Sequence, residues 1–159
     1  RAQSLQSGDC GISDMQTVFA RVLADVLPLA EAKGQDIGIT AAAGRIQADE
    51  TDLYLLVKTL ADNAVRYTPE GGRIDLAAGE EAHEILIAVE DSGAGIPAAE
   101  RNRVFDPFYR VLGSGEQGSG LGLAIAQTLT RRYHGSIRLC ERCDGQSGLR
   151  VEVRLPKAA

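Results

Sequence analysis

An α+β fold, with one layer of helices packed on a mixed sheet, is what this sequence predicts. Stretches with helical apolar spacing and stretches of alternating apolar residues are interleaved along the chain. They do not follow the strict strand–helix–strand order of a parallel α/β fold. A length of 159 residues fits one core rather than two, and no internal repeat is visible.

Residues 1–12 are polar and contain Gly and Ser, so they read as a linker, with one domain from 13 to 159. Ser13 or Asp14 is placed to cap a first helix running to about Ala32. Val18, Val22, Leu23, Val26, Leu27 and Leu29 form its apolar face, and Lys33-Gly34 ends it. Two short strands are expected next, Asp36–Thr40 and Arg45–Ala48. Asp49 caps a second helix, in which Leu53, Leu56, Val57, Leu60, Ala61 and Ala64 recur at helical spacing. The run Thr68-Pro69-Glu70-Gly71-Gly72 stops it. Arg73–Ala78 and Glu84–Glu90 alternate as strands around a turn at Gly79–His83. Asp91 to Gly120 is rich in glycine and has little apolar periodicity, and a loop that long inside a compact domain is usually functional or mobile. Helix returns over Leu121–Tyr133, and Ser136–Glu141 with Leu149–Leu155 forms a closing hairpin.

Composition excludes several classes of function. A formal net charge of −5 gives no basic face for nucleic acid. No apolar run approaches the roughly 20 residues that span a bilayer, and no signal peptide is visible. The chain begins with Arg1, which suggests a piece of a longer protein. The three cysteines, Cys10, Cys140 and Cys143, do not form a disulfide framework by count. Cys140-x-x-Cys143 has the spacing of a metal or redox pair but lacks the second pair that a zinc site needs. It reads as two reduced thiols at a strand end.

Four motifs carry chemistry. In Asp62-Asn63-Ala64-Val65-Arg66-Tyr67, residues Asn63, Arg66 and Tyr67 share one helix face. An amide oxygen ligates a hard cation, a guanidinium holds phosphate oxygens and an aromatic ring stacks on a base. A solvated polar face is the plainer reading of the same trio. Asp91-Ser92-Gly93-Ala94-Gly95-Ile96-Pro97 follows an apolar strand. Its carboxylate can accept an adenine amino proton, and its glycines admit a flat ring, though such a run also makes an ordinary turn. Gly118-Ser119-Gly120-Leu121-Gly122-Leu123 opens a helix, where backbone N–H groups bind phosphate; otherwise it is a flexible loop. Arg103-Val104-Phe105-Asp106-Pro107-Phe108-Tyr109-Arg110 concentrates aromatics in a chain with only three Phe and four Tyr. These residues could anchor a flap that docks and undocks, or form a small satellite core. The run Gly113–Gly118 spells G-x-G-x-x-G but follows no strand, and no P-loop sequence is present.

The order of the four motifs, from about Asp49 to His134, resembles the N, G1, F and G2 boxes of bacterial sensor histidine kinases. The F box separates them from the gyrase, Hsp90 and MutL ATPases, and within the kinases the pattern is similar to the QseC-like sensors. The resemblance implies the two-layer α/β sandwich of the Bergerat ATP-binding fold, with a mobile lid over about 96–119. It also implies ATP and Mg²⁺ as ligands and transfer of the γ-phosphate to a histidine. Asn63 would hold Mg²⁺, Arg66 and Arg110 would neutralise phosphate, and Tyr67 would stack on adenine. Asp91 would read the adenine amino group, with Gly93 and Gly95 giving it room and Ile96 beside them. Phe105 and Phe108 would anchor the lid. Gly118, Gly120, Leu121 and Gly122 would supply hinge and helix-end amides, and Asp62 would polarise the acceptor imidazole.

Two departures stand out. Thr59 occupies the position of a further Asn one turn before Asn63, where its hydroxyl could touch a phosphate or a Mg-bound water. No phosphoacceptor box surrounds His83 or His134. The acceptor is therefore expected on a separate dimerisation domain, with a response regulator as the onward partner. The chain itself would be a cytoplasmic monomer, and its parent a homodimer in the bacterial inner membrane. Two other readings stay open: an ATPase or Ser/Thr kinase of the same superfamily, such as an anti-sigma-factor kinase, and a nucleotide-binding regulator without phosphoryl transfer.

Overall fold

The computed structural model describes residues 11–101, 103–105, 122–142 and 144–158. Among the expected site residues, Phe108, Arg110, Gly118, Gly120 and Leu121 lie outside it, as do most of the proposed lid, Cys10 and Cys143.

The chain opens with a short strand, β1 (Ile12–Asp14), followed by α1 (Met15–Ala32), β2 (Asp36–Ala42), β3 (Arg45–Gln47) and α2 (Glu50–Tyr67). Strands β4 (Arg73–Glu81) and β5 (Glu84–Asp91) come next. After two single 3-10 turns at Ala98–Glu100 and Arg103–Phe105 the chain reaches α3 (Gly122–Arg132), β6 (Ser136–Cys140) and β7 (Leu149–Pro156). Five strands form one mixed sheet in the order β2-β4-β5-β7-β6, with β2 and β4 parallel and the remaining pairs antiparallel. This is the helical layer on a mixed sheet that the sequence predicts.

Local chemistry sets the helix ends. Asp14 caps α1 by accepting from the Gln16 N–H at 2.8 Å, while Ser13 turns away and donates to the Ala48 carbonyl. Asp49 caps α2 by accepting from the Asp52 N–H at 3.3 Å. Gly34, at φ +64°, carries the chain out of α1 in a left-handed turn. The buried stripe of α1 is Met15, Val18, Phe19, Val22, Val26 and Ala30. Leu29, expected on that face, is instead 55% exposed, because the stripe drifts with the 3.6-residue period rather than following every apolar residue.

Register aligns the core face of the sheet. Ile74 lies opposite Asp91, Leu76 opposite Val89 and Ala78 opposite Ile87. Across the next pair, Val89 faces Val151, Ile87 faces Val153 and Ile85 faces Leu155. These side chains pack against the buried stripes of the helices in one core. Asp91 is thus the last residue of a core-facing row, and it points under the helical layer rather than into water. The opposite face of the sheet is charged: Glu152 of β7 sits between Arg138, Arg150 and Arg154.

The hairpin between β4 and β5 is tighter than expected, since β4 continues to Glu81 and the turn reduces to Ala82 and His83. Strand β1 pairs antiparallel with β3, so ordered pairing begins at Ile12, within the segment read as a linker.

Candidate functional site

Three segments converge at one end of the sheet: the last two turns of α2, the Asp91–Ile96 loop and the N-terminus of α3. At the close of α2, Asp62, Asn63, Arg66 and Tyr67 are all half-buried. The carbonyls of this last turn have no helical partners, and side chains from the α1–β2 connection supply them. The Lys33 ammonium donates to the carbonyls of Val65 at 2.9 Å and Arg66 at 3.2 Å. The Gln35 amide donates to Val65 at 3.0 Å and Thr68 at 2.7 Å. The expected ligand-bearing turn is therefore fixed from behind by residues about thirty positions earlier.

Asp91 is only 7% exposed and accepts from the Gly93 N–H at 2.9 Å. Burial pushes its carboxyl above the ordinary carboxylate range. The N–H groups of Gly93 and Leu149 and the charge of Arg142 pull it back, while Glu90 adds to the rise. A buried carboxylate that still has acceptor capacity is suited to a ligand that brings its own N–H donors.

The loop leaves no space for side chains at its glycines. A Cβ on Gly93 would come within 2.7 Å of the Tyr67 carbonyl and 3.1 Å of the Asp91 carboxylate. Gly95, at φ +80°, would place one 2.8 Å from the Gly148 carbonyl. The α2 terminus, the Asp91 loop and the β6–β7 hairpin thus meet backbone to backbone.

At the other side of α2, Gly122 opens α3 directly against Asn63, whose amide oxygen lies 3.1 Å from where a Cβ on Gly122 would stand. Thr59, one turn earlier, donates its hydroxyl to the Leu56 carbonyl at 2.8 Å. Asp62 holds an ion pair of 2.8 Å with Lys58 through one oxygen, and its other oxygen is buried without a hydrogen-bond partner. That bond to Asp62 raises the Lys58 ammonium above its ordinary value. Ile96 and Phe105 are half-buried against the main core, and Arg101 donates to the Ile96 carbonyl at 2.9 Å.

The structure therefore brings Asn63 next to Gly122, and Asp91 and Gly93 next to the end of α2. His83 and His134 are both exposed, in the β4–β5 turn and after α3. Among the described residues no three His, Cys, Asp or Glu side chains cluster as a metal site, and no helix is long and apolar enough to cross a membrane.

Sequence reasoning missed a second tier around the site. Ser147 donates to the Gly93 carbonyl at 2.8 Å, and a Cβ on Gly148, at φ +143°, would collide with the Asp91 carbonyl. Gln35, Arg142, Ser147 and Gly148 carry no motif. The Gly-rich run Asp144–Gly148 reads only as a hairpin turn, and its contact with the Asp91 loop appears only once β5 and β7 pair.

Comparison with known proteins places the chain in context. Residues 48–159 match the family described as histidine kinase-, DNA gyrase B- and HSP90-like ATPases. The sensor protein kinase PmrB of Pseudomonas aeruginosa is 36% identical over 157 residues, which is 94% of this chain and 32% of that protein. Among solved structures, the mycobacterial sensor histidine kinase MprB aligns with TM-score 0.83 and 27% identity over 92% of this chain and 98% of that one. Full-length ShkA in complex with AMPPNP aligns with TM-score 0.78 and 26% identity over 95% of this chain and 32% of that one. The chain spans 25–35% of the length of the first curated relatives it matches.

Proposed function

The chain belongs to the histidine kinase-, DNA gyrase B- and HSP90-like ATPase family, and from that premise we propose that it is the ATP-binding catalytic domain of a sensor histidine kinase. In this reading it transfers the γ-phosphate of ATP to a histidine on a separate dimerisation domain, and a response regulator receives the phosphate in turn. The parent is a homodimer anchored in the bacterial inner membrane. The names of its relatives support the kinase assignment over an ATPase of another branch. The observation that carries the reading is the buried Asp91 carboxylate at the end of β5, with Gly93 packed against the end of the helix that carries Asn63.

Each residue has a defined task. Asp91 accepts from the adenine amino group, and Tyr67 covers the ring. Arg66 would neutralise phosphate charge, and Arg110, which lies outside the described residues, would join it. Asn63 fits a hard divalent cation: its oxygen stands at the open end of α3, and Mg²⁺ prefers few protein oxygens completed by phosphate and water. Bound there, Mg²⁺ supplies charge neutralisation across the phosphates. The N–H groups that open α3 are assigned to phosphate oxygens in this reading. Thr59 donates its hydroxyl proton to the Leu56 carbonyl, which leaves its oxygen free to accept from a Mg-bound water.

In the transfer, an imidazole nitrogen of the acceptor histidine attacks the γ-phosphorus. The bond to the bridging oxygen breaks, and ADP leaves with that electron pair. Asp62, through the carboxylate oxygen that pairs with Lys58, is the group we assign to take a hydrogen bond from the other imidazole N–H. Positioning and charge neutralisation do most of the remaining work in phosphoryl transfer.

Calorimetry with ATP tests the binding half of this reading. Asp91→Asn presents a donor to a donor, and loss of a charge-assisted hydrogen bond costs about 1.5–3 kcal/mol, so affinity falls about tenfold or more. Asn63→Ala removes the gain in affinity that Mg²⁺ confers. Unchanged ATP affinity in Asp91→Asn overturns the adenine assignment.

A further inference from the structure

The hairpin between β6 and β7 touches the Asp91 loop at three places. Ser147 donates to the Gly93 carbonyl at 2.8 Å. The Gly148 carbonyl lies against Gly95, and Gly148 itself lies against the Asp91 carbonyl, each approach close enough to exclude a Cβ. Arg142 fastens this hairpin. Its side chain is only 14% exposed. The guanidinium donates to Asp144 at 2.7 Å and to the Ser147 carbonyl at 3.3 Å, and the stem lies over Gly148. Its Nε is buried without a partner. Asp144 pairs with this charge from a position 44% exposed, where solvent screens it, and the attraction of the buried guanidinium also reaches the Asp91 carboxylate.

We propose that Arg142 is a positioning residue for nucleotide recognition: it holds the β6–β7 hairpin against the Asp91–Gly95 loop and supplies the positive charge that keeps Asp91 an acceptor. The inference rests on the reading of Asp91 as the group that binds the adenine amino function. Only an ionised Asp91 accepts on both oxygens, and burial works against that form. Glu90, on the same strand, works against it too, and Arg142 is the cationic group that opposes them. The N–H groups of Gly93 and, from β7, Leu149 reach the carboxylate directly, while the Tyr67 carbonyl and Thr68 of α2 close around Gly93 beside it. Without Arg142 the carboxyl takes up its proton at a higher pH, and adenine binding is lost earlier as the solution is acidified.

Two readouts separate this from simple support of a loop. In the nucleotide-free chain, carbon-13 NMR follows the Asp91 carboxyl through a pH titration in the wild type, Arg142→Gln and Arg142→Lys. The midpoint moves to higher pH in Arg142→Gln and returns toward the wild type in Arg142→Lys. Calorimetry then gives the ratio of wild-type to Arg142→Gln affinity for ATP. That ratio is about threefold or more larger at about pH 5.5 than at about pH 8, and the titration of ATP itself cancels in it. An unmoved Asp91 midpoint, a lysine variant that behaves like the glutamine one, or an affinity loss equal at both pH values overturns the proposal. The NMR arm uses no nucleotide, so it judges Arg142 alone. Failure of the adenine reading shows separately, as unchanged ATP affinity in Asp91→Asn.

Discussion

At the scale of single residues, the site depends on places where a side chain is absent as much as on those where one is present. Gly148 and Gly145 belong to the same hairpin and both have positive φ, at +143° and +75°. Gly145 has nothing within 4 Å of a built Cβ, whereas Gly148 would drive one into the Asp91 carbonyl. Gly145→Ala should therefore cost about 1 kcal/mol, the penalty for a left-handed backbone alone. Gly148→Ala should cost about 2 kcal/mol or more and weaken ATP binding as well, because the Asp91 loop must move. Urea denaturation checks the first figure and calorimetry the second. Equal costs at the two positions would show that the hairpin does not press on Asp91. Asn63 and Asp91 stand out in the sequence as candidates because they sit in motifs of recognisable order. Ser147 does not, since its partner Gly93 is 54 positions away and only the sheet register brings them together.

At the scale of elements, helix ends and strand edges decide how firmly the site is held. The helices were readable because Asp14 and Asp49 announce their starts and because their apolar residues recur at helical spacing. Strand β1 was not, because three residues with one apolar side chain have no periodicity to detect, and its partner β3 is distant in sequence. The C-terminal turn of α2 relies on Gln35, which is 6% exposed and serves two carbonyls. Gln35→Ala should cost about 1–3 kcal/mol by leaving the buried Thr68 carbonyl without its side-chain donor, Val65 keeping that of Lys33, and should also lower ATP affinity, because Asn63 and Tyr67 ride on that turn. A stability loss with unchanged affinity would uncouple the turn from the site. On the outer face of the sheet, burial alone would raise the Glu152 carboxyl. Hydrogen bonds from Arg150, Arg138 and Arg154 outweigh it and bring the carboxyl from an ordinary 4.5 down to about 2. A depressed carboxyl stabilises the fold above its unfolded value, and that contribution is lost as pH falls through the folded one. Glu152→Gln should thus destabilise the protein by about 2 kcal/mol at neutral pH. The gap to the wild type should close as pH falls from 4.5 to about 2. A gap independent of pH would mean that packing, not charge, accounts for the loss.

At the scale of the whole molecule, the layered fold gathers a carboxylate, an amide and a helix N-terminus at one end of a rigid sheet, and nothing in that arrangement supplies an acceptor. His83 and His134 are exposed, one in a turn and one in a left-handed position at φ 61° after α3, and neither belongs to an acceptor sequence. The chain spans 25–35% of the length of the first curated relatives it matches, and the proposal puts the acceptor on a separate dimerisation domain. The most direct test is phosphoryl transfer in trans, with radiolabelled ATP, this 159-residue chain and separately made histidine-bearing helices of its parent, the product being assayed for acid and base stability. The expected result is acid-labile, base-stable phosphate on the helices and none on the chain alone, abolished by Asn63→Ala and slowed by Asp62→Asn. Base-stable, acid-labile phosphate on the isolated chain, lost when His83 or His134 is replaced, would contradict it, as would helices that stay unlabelled while the chain binds ATP.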